Sequence, residues 1–336
     1  MKHSLWLPVA VAALLALLAA PSHQAGETNP DNIPTANCFP WTNPGLDGAR
    51  AAPLNHIVMF ENTQVRVIEV TNAPSPKNRY HTHPRASLFM EDKSSSVRHY
   101  NAHGIITTVP ALPPPVPVSD YNSPMTVDNG RVYFMAPNDM HSVENVDNKP
   151  FHAIRLEMKT LNTSFSQLPC PTVPCVDSTD MEFARRAAIE RYDMPYKVVD
   201  PVPTAKCFPW NRPELDGPVA AYQTEKVVLE NEVIRVLDVT INPGQTEANH
   251  TSPYPAVFIM DKNAGILITS ATTGAVIHQS IPAVTDPVLY DAGSSFANGK
   301  ILYFGVLGLH NIQNIDNKPF HAIRVELKQQ NVELPC

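Results

Sequence analysis

The chain is written twice. Cys38-Phe39-Pro40-Trp41 returns as Cys207-Phe208-Pro209-Trp210, and each copy runs on to Leu-Asp-Gly, at Leu46–Gly48 and Leu215–Gly217. Phe60-Glu61-Asn62 with Val65–Val70 is echoed by Leu229-Glu230-Asn231 with Ile234–Val239, and the nine residues Asp147–Arg155 recur unchanged as Asp316–Arg324. These segments keep their order and a spacing of 169 positions. The chain is therefore a tandem duplication, and a repeat of this size is a whole domain rather than a solenoid unit. Whatever one copy folds into, the other must fold into as well, so 336 residues resolve into two domains.

Composition narrows the class. Proline accounts for 34 residues, near twice the usual share of about 5 %, whereas glycine accounts for only 13. So many prolines cannot sit inside long helices, because each removes a donor and clashes with the preceding turn. With 43 % hydrophobic and 17 % charged residues the chain is neither disordered nor, lacking a glycine period, collagenous. Short Val-, Ile- and Phe-rich runs alternate with charged residues, as in Val65–Val70 and Ile154–Lys159, which reads as strands, and Pro113–Pro115 reads as a rigid loop. One helix is expected between the copies: Thr179 caps it, Glu182 completes the capping box, and Met181–Arg191 contains no breaker. A net charge of −7 supplies no basic surface for nucleic acid.

The N-terminus reads as an address. Lys2 and His3 precede sixteen apolar positions, Leu5–Ala20, followed by small and polar residues up to Ala25. That is the pattern of a secretory signal peptide over 1–25, short of the roughly 20 residues of a membrane span. No other run approaches spanning length, so a secreted or periplasmic chain with no membrane attachment after cleavage is expected. Export places the five cysteines in an oxidising compartment. One opens each domain and one closes it, which predicts the disulfides Cys38–Cys170 and Cys207–Cys336. Cys175 has no counterpart; it replaces Cys170 in the first bridge, stays free, or pairs between chains. The expected organisation is a first domain over 36–170, a connector over 171–203 and a second domain over 204–336.

Chemistry concentrates at His81-Thr82-His83. Two residues apart on a strand, both imidazoles point to one face and can reach one ion. His141 follows, with Asn145 four positions on, and neutral imidazoles suit Fe, Cu, Zn, Ni and Mn. In this His-x-His and later His-x3-Asn each copy resembles the cupin superfamily, and the duplication resembles a bicupin. Gly244 stands before His250 as the family's first motif asks, Ser75 takes that glycine's place before His81, and the second motif runs from Gly130 to His141 and Asn145 and from Gly299 to His310 and Asn314. The resemblance implies an all-β chain of two tandem double-stranded β-helix (cupin jelly-roll) barrels joined by a connector with one short helix, with a metal inside the barrel mouth.

The departures from the pattern shape the functional expectation. The family's glutamate ligand is missing after His83, and Ser252 stands in the second copy where His83 stands in the first. Repeat one then keeps His81, His83 and His141, while His250, Ser252 and His310 form a degenerate second site. One divalent transition metal is expected, iron first, with Mn, Cu, Ni or Zn as alternatives. Arg79, Arg85 and Tyr80 flank the motif as candidate contacts to a small-molecule substrate. His152 and His321 lie in the unchanged nine-residue copies, which favours packing or hydrogen bonding over ligation. Three imidazoles without a carboxylate resemble cupin dioxygenases more than oxalate-type decarboxylases; the alternative is a non-catalytic cupin that binds a metal or small ligand. No catalytic acid, base or nucleophile is identified. A homo-oligomer remains compatible with the sequence.

Overall fold

The computed structural model describes residues 33, 40–75, 77–104, 106–110, 132–135, 137–159, 202–262, 264–280, 301–328 and 334–336. The N-terminal segment, Cys38, Cys170, Cys175, Pro113–Pro115 and the connector helix lie outside these residues.

Among the described residues, nine strands form from each copy. In the first they are β1 (His56–Glu61), β2 (Val65–Asn72), β3 (His81–His83), β4 (Ser87–Lys93), β5 (Val97–Asn101), β6 (Ile106–Val109), β7 (Val132–Met135), β8 (Asn138–Asn145) and β9 (Phe151–Met158). In the second they are β10 (Glu225–Glu230), β11 (Ile234–Ile241), β12 (His250–Ser252), β13 (Ala256–Lys262), β14 (Ile266–Ser270), β15 (Val276–Gln279), β16 (Ile301–Phe304), β17 (Leu307–Asn314) and β18 (Phe320–Leu327). The first barrel has a five-stranded sheet β1-β2-β9-β4-β7 facing a four-stranded sheet β3-β8-β5-β6. The second repeats this as β10-β11-β18-β13-β16 and β12-β17-β14-β15. With the outermost strand set aside, β2–β9 pass between the two sheets at every step except the β5–β6 hairpin, which is jelly-roll order, the double-stranded β-helix.

The alternation in Val65–Val70 explains the core. Val65 and Val67 point out of the barrel and share a cluster with Leu88, Met90, Ile154 and Leu156; Ile68 and Val70 point inward with Phe89, Tyr133 and Ala153. Both faces of the five-stranded sheet are therefore covered, which is why β2 and β9 are buried almost end to end. The outer cluster continues into the second barrel through Ile234, Val236, Val257, Ile259, Ile323 and Val325, so the two equivalent sheets pack back to back. Phe60 stacks on Tyr303 across this seam at 6.3 Å, and the Tyr303 hydroxyl donates to Gln64 Oε1.

The repeated motifs turn out to be joints. Asn145 Nδ2 donates to the carbonyls of Asn72 (2.8 Å) and Lys149 (2.6 Å), stapling the turn before β9 to β2; Asn314 does the same with Ile241 and Lys318. Cys207 and Cys336 are bonded across 129 residues, and Trp210 Nε1 donates to Pro335 O at 2.8 Å beside them. Closing a loop of that length contributes about 4–5 kcal/mol on the chain-entropy model. Ser75 adopts φ 37° where Gly244 adopts φ 71°, so the motif's glycine answers a left-handed turn that serine accepts under strain.

The expectation of one helix in the connector misses two others. Each Leu-Asp-Gly opens a single-turn α-helix, α1 (Gly48–Ala51) and α2 (Gly217–Ala220), preceded by the 3-10 turns Pro44–Leu46 and Pro213–Leu215. Four residues carry no readable periodicity, yet these turns position the site.

Candidate metal centre

The first barrel gathers four imidazoles. His81 and His83 occupy the two ends of β3, and His81 pairs in register with His141 on β8. A fourth, His56, begins β1 directly after α1. Ring centroids lie 4.4 Å apart for His56–His81 and for His81–His141, 5.1 Å for His56–His83 and 5.4 Å for His83–His141. A nitrogen from each of His56, His81 and His83 falls within 4.8 Å of the others, a group able to hold an ion. These three are buried, whereas His141 is half-buried.

Each ring is oriented by its Nδ1. That atom faces Ala52 O in His56 (3.3 Å), Arg79 O in His81 (2.7 Å), Asp139 O in His141 (2.6 Å) and Glu157 Oε1 in His83 (3.4 Å). Acceptors at Nδ1 place the proton there and leave Nε2 as the lone pair, the arrangement metal-binding histidines use. Burial, with the Arg155 charge and the neighbouring rings, drives His56 down to about 3; desolvation brings His141 to about 4, and His81 and His83 also lie well below the usual range. All four are therefore neutral at pH 7.

The small helix makes room for this cluster. Asp47 caps α1 through the Ala49 amide (3.2 Å) and ion-pairs with Arg66 at 2.6 Å; Arg66 in turn holds Glu157 at 2.5 Å. Gly48 packs so closely that a Cβ would lie 2.8 Å from His83 Cε1, 3.2 Å from His81 Cδ2 and 3.3 Å from His56 Cδ2. Leu-Asp-Gly is thus kept for a charge anchor followed by a gap.

The expected substrate contacts separate. Arg79 is exposed and offers its carbonyl to His81, and Tyr80 accepts from Lys77 at the surface (3.2 Å). Arg85 turns inward and lies 3.4 Å from Glu157. Arg155 also enters the barrel: its Nε and Nη2 are buried without hydrogen-bond partners, and its charge acts on all four imidazoles. His152 sits on the outer face between Asp92 and Glu69, a hydrogen-bonded histidine as expected.

In the second barrel His250 pairs in register with His310, their rings 4.3 Å apart, and Ser252 ends β12 as the sequence places it. The loss of one imidazole is not the whole change. Glu225 occupies the place of His56, and Glu247 that of Asn78; Glu225, Glu247 and His250 form a second group able to hold an ion. His56 and Glu225 are absent from the sequence-based site because they lie outside the histidine motifs, and Glu247 because it falls at an unspecified position between Gly244 and His250. The spacing of 169 carries the missing signal, since it aligns His56 with Glu225, two residues of ligand chemistry.

No family model and no curated protein matches the chain. Among solved structures it is similar to AerE from Microcystis aeruginosa, 12 % identical with 81 % of this chain and 91 % of that chain covered and a TM-score of 0.40. It is similar to a variant of oxalate decarboxylase from Bacillus subtilis (12 % identical, 81 % and 72 % covered, TM-score 0.42) and to procruciferin, an 11S globulin from Brassica napus (12 %, 78 % and 76 %, TM-score 0.37). By its own strand order, the chain has the fold of a bicupin, two cupin barrels in tandem.

Proposed function

We propose that the N-terminal barrel is a metal-dependent oxidoreductase of the dioxygenase type that acts on a small anionic molecule. The observation that carries this reading is the donor set: His56, His81 and His83, neutral, oriented at Nδ1 and converging within 4.8 Å, with the His141 ring 4.4 Å from that of His81. Such a set fits Fe, Cu, Ni or Zn better than Mg or Ca. A redox-active ion bound there would supply oxygen activation, which no side chain in the barrel supplies. The protein's own residues do the rest. His141 forms the partly open side through which a small molecule reaches the cluster, while the inner faces of β2, β4 and β9 exclude water. Among the described buried residues, Arg66, Arg85 and Arg155 are balanced by Asp47, Glu91 and Glu157, so a cation on neutral imidazoles leaves positive charge for an anion to offset. Arg155 Nη2, buried without a hydrogen-bond partner, is the donor that would hold it.

The test is metal analysis of the purified chain together with oxygen uptake against dicarbonyls, thiols and phenolics. Uptake that is lost in His81→Ala, and whose KM rises in Arg155→Met, is expected. Stoichiometric metal with no uptake on the panel would favour the second reading, a non-catalytic metal-binding barrel. What supports that second reading is closure: His56, His81 and His83 expose only 1–3 % of their surface. The proposal also takes the chain as secreted or periplasmic. The apolar N-terminal segment and the Cys207–Cys336 bridge support this, because disulfides persist in oxidising compartments.

A further inference from the structure

We propose that the second barrel holds a divalent cation of its own, on Glu225, Glu247, His250 and His310, and that this site takes a harder ion than the imidazole cluster. The inference does not depend on any activity of the first barrel.

Distances come first. His250 Nε2 stands 3.6 Å from Glu225 Oε1 and 3.9 Å from Glu247 Oε2. Both separations are too long for hydrogen bonds. Ligand atoms bound to one ion at about 2.1 Å lie roughly 3.0 Å apart at a right angle and about 4.2 Å apart in line, so these separations suit two edges of a coordination shell. The three donors fall within 4.8 Å of one another.

The second observation is independent. Six buried polar atoms here have no hydrogen-bond partner: Glu225 Oε2, both oxygens of Glu247, His250 Nε2, His310 Nε2 and Ser252 Oγ. Their residues are at most 4 % exposed. Buried polar groups are normally paired, so a cluster of orphans calls for a partner common to them all. The imidazoles are prepared for one: His250 Nδ1 faces Ala248 O at 2.8 Å and His310 Nδ1 faces Gly308 O at 2.7 Å, leaving each Nε2 lone pair directed inward.

Charge supplies the valence. Among the described residues, the interior of this barrel buries Asp216, Glu225, Glu247 and Glu326 against Arg235 and Arg324. Both arginines are ion-paired, Arg235 with Asp216 (2.6 Å) and Glu326 (2.5 Å), Arg324 with Glu225 and Glu326 (both 2.7 Å), and Arg324 Nε is left without a hydrogen bond. Ionised, the group carries an excess of two negative charges, which one divalent cation cancels. Neither added carboxylate stands where the family motif puts its glutamate; Ala256 and Val257 fill those places. Two carboxylates and two imidazoles favour Mn2+ or Fe2+ over the softer ions that an all-imidazole set attracts.

Mn2+ is the probe for the test, added to the chelator-stripped full chain and followed by calorimetry and by the EPR signal of free Mn2+. One Mn2+ per chain is expected to bind to His81→Ala, in which the first site is broken. Glu247→Gln, close in shape and one charge lower, is expected to weaken that binding at least tenfold while thermal unfolding confirms the fold. Glu225→His, which restores the first barrel's ligand type, should weaken Mn2+ at least tenfold and retain Zn2+. Absence of Mn2+ binding in a folded His81→Ala chain, or unchanged affinity in Glu247→Gln, overturns the proposal. So does a wild-type chain that binds no Mn2+ at saturation, a measurement that needs no variant. Failure of oxygen uptake by the first barrel leaves all of these outcomes intact.

Discussion

His56 and Glu225 are the same position in two barrels, each opening its first strand immediately after a one-turn helix and each meeting the histidines of the following strand pair. The two copies share one frame, and this position is among those where they differ in chemistry, with His83/Ser252, Asn78/Glu247, Arg85/Tyr254 and Glu91/Met260. The first barrel carries imidazoles in a charge-balanced interior; the second carries carboxylates in an acidic one.

That relationship predicts the effect of removing His56. His56→Gln keeps the volume and a hydrogen-bonding group but takes away one of three nitrogens within 4.8 Å. Metal affinity of the first barrel should fall by 10–100-fold, while Mn2+ binding by the second stays unchanged. Competitive titration against a chromophoric chelator measures this; equal affinity of variant and wild type would remove His56 from the ligand set.

Gly48→Ala tests the gap behind the cluster. Gly48 does not adopt positive φ, so space rather than backbone freedom is what it provides. The new methyl would meet the rigid His83 ring at 2.8 Å, and overpacking of this kind costs about 1–3 kcal/mol. A fall in chemical-unfolding stability of that size is expected, with weaker metal binding. In Gly217→Ala the Cβ would stand 2.0 Å from Glu225 Oε2, so the loss should appear chiefly in Mn2+ binding. Wild-type stability and metal content in both variants would show that neither glycine guards its site.

The fold was legible because the chain states it twice: a strand pattern such as Val65–Val70 is weak alone and firm when Ile234–Val239 repeats it. His81 and His83 were legible because period-two spacing on a strand fixes a shared face, and His141 because His141 with Asn145 resembles the cupin second motif. His56 was not, since a single histidine well upstream reaches the cluster only through the turn of α1. Glu247 was hidden for another reason: it precedes β12, where no strand alternation says which way a side chain points. Arg79 and Arg85 look alike beside the motif, yet one is exposed and the other ion-paired inside, on opposite sides of a three-residue strand.

The neutral histidines tie stability to acid pH. His56 ionises at about 3 in the fold against an ordinary 6.5, so the unfolded chain binds the extra proton. Its contribution is complete above pH 6.5 and is lost as pH falls towards about 3, by about 1.4 kcal/mol per unit. Burial raises Glu225 and Glu247 and makes them act in the opposite sense, so the readout is a difference. In metal-free protein, the stability of wild type minus that of His56→Gln should shrink steadily between pH 6.5 and 4.5. A difference independent of pH would mean that His56 is not held neutral.

His152 should behave in reverse. Burial opposes its charge, but hydrogen bonds to Asp92 and Glu69, with the charges of both, outweigh that cost and raise it to about 9. The ring therefore remains protonated at neutral pH, clamped on the outer face between two carboxylates, with Glu69 Oε1 3.0 Å from Nε2. A raised value means that the folded chain holds the proton more tightly, so the stabilisation is complete below pH 6.5 and disappears as pH rises through about 9. A rise of that size corresponds to roughly 3 kcal/mol as an upper figure, since each pKa unit is about 1.4 kcal/mol. His152→Gln should thus cost most at pH 6 and almost nothing at pH 10. Paired urea unfolding at these pH values measures it, and a cost that stays constant to pH 10 would show that packing, not the charged clamp, is what His152 contributes.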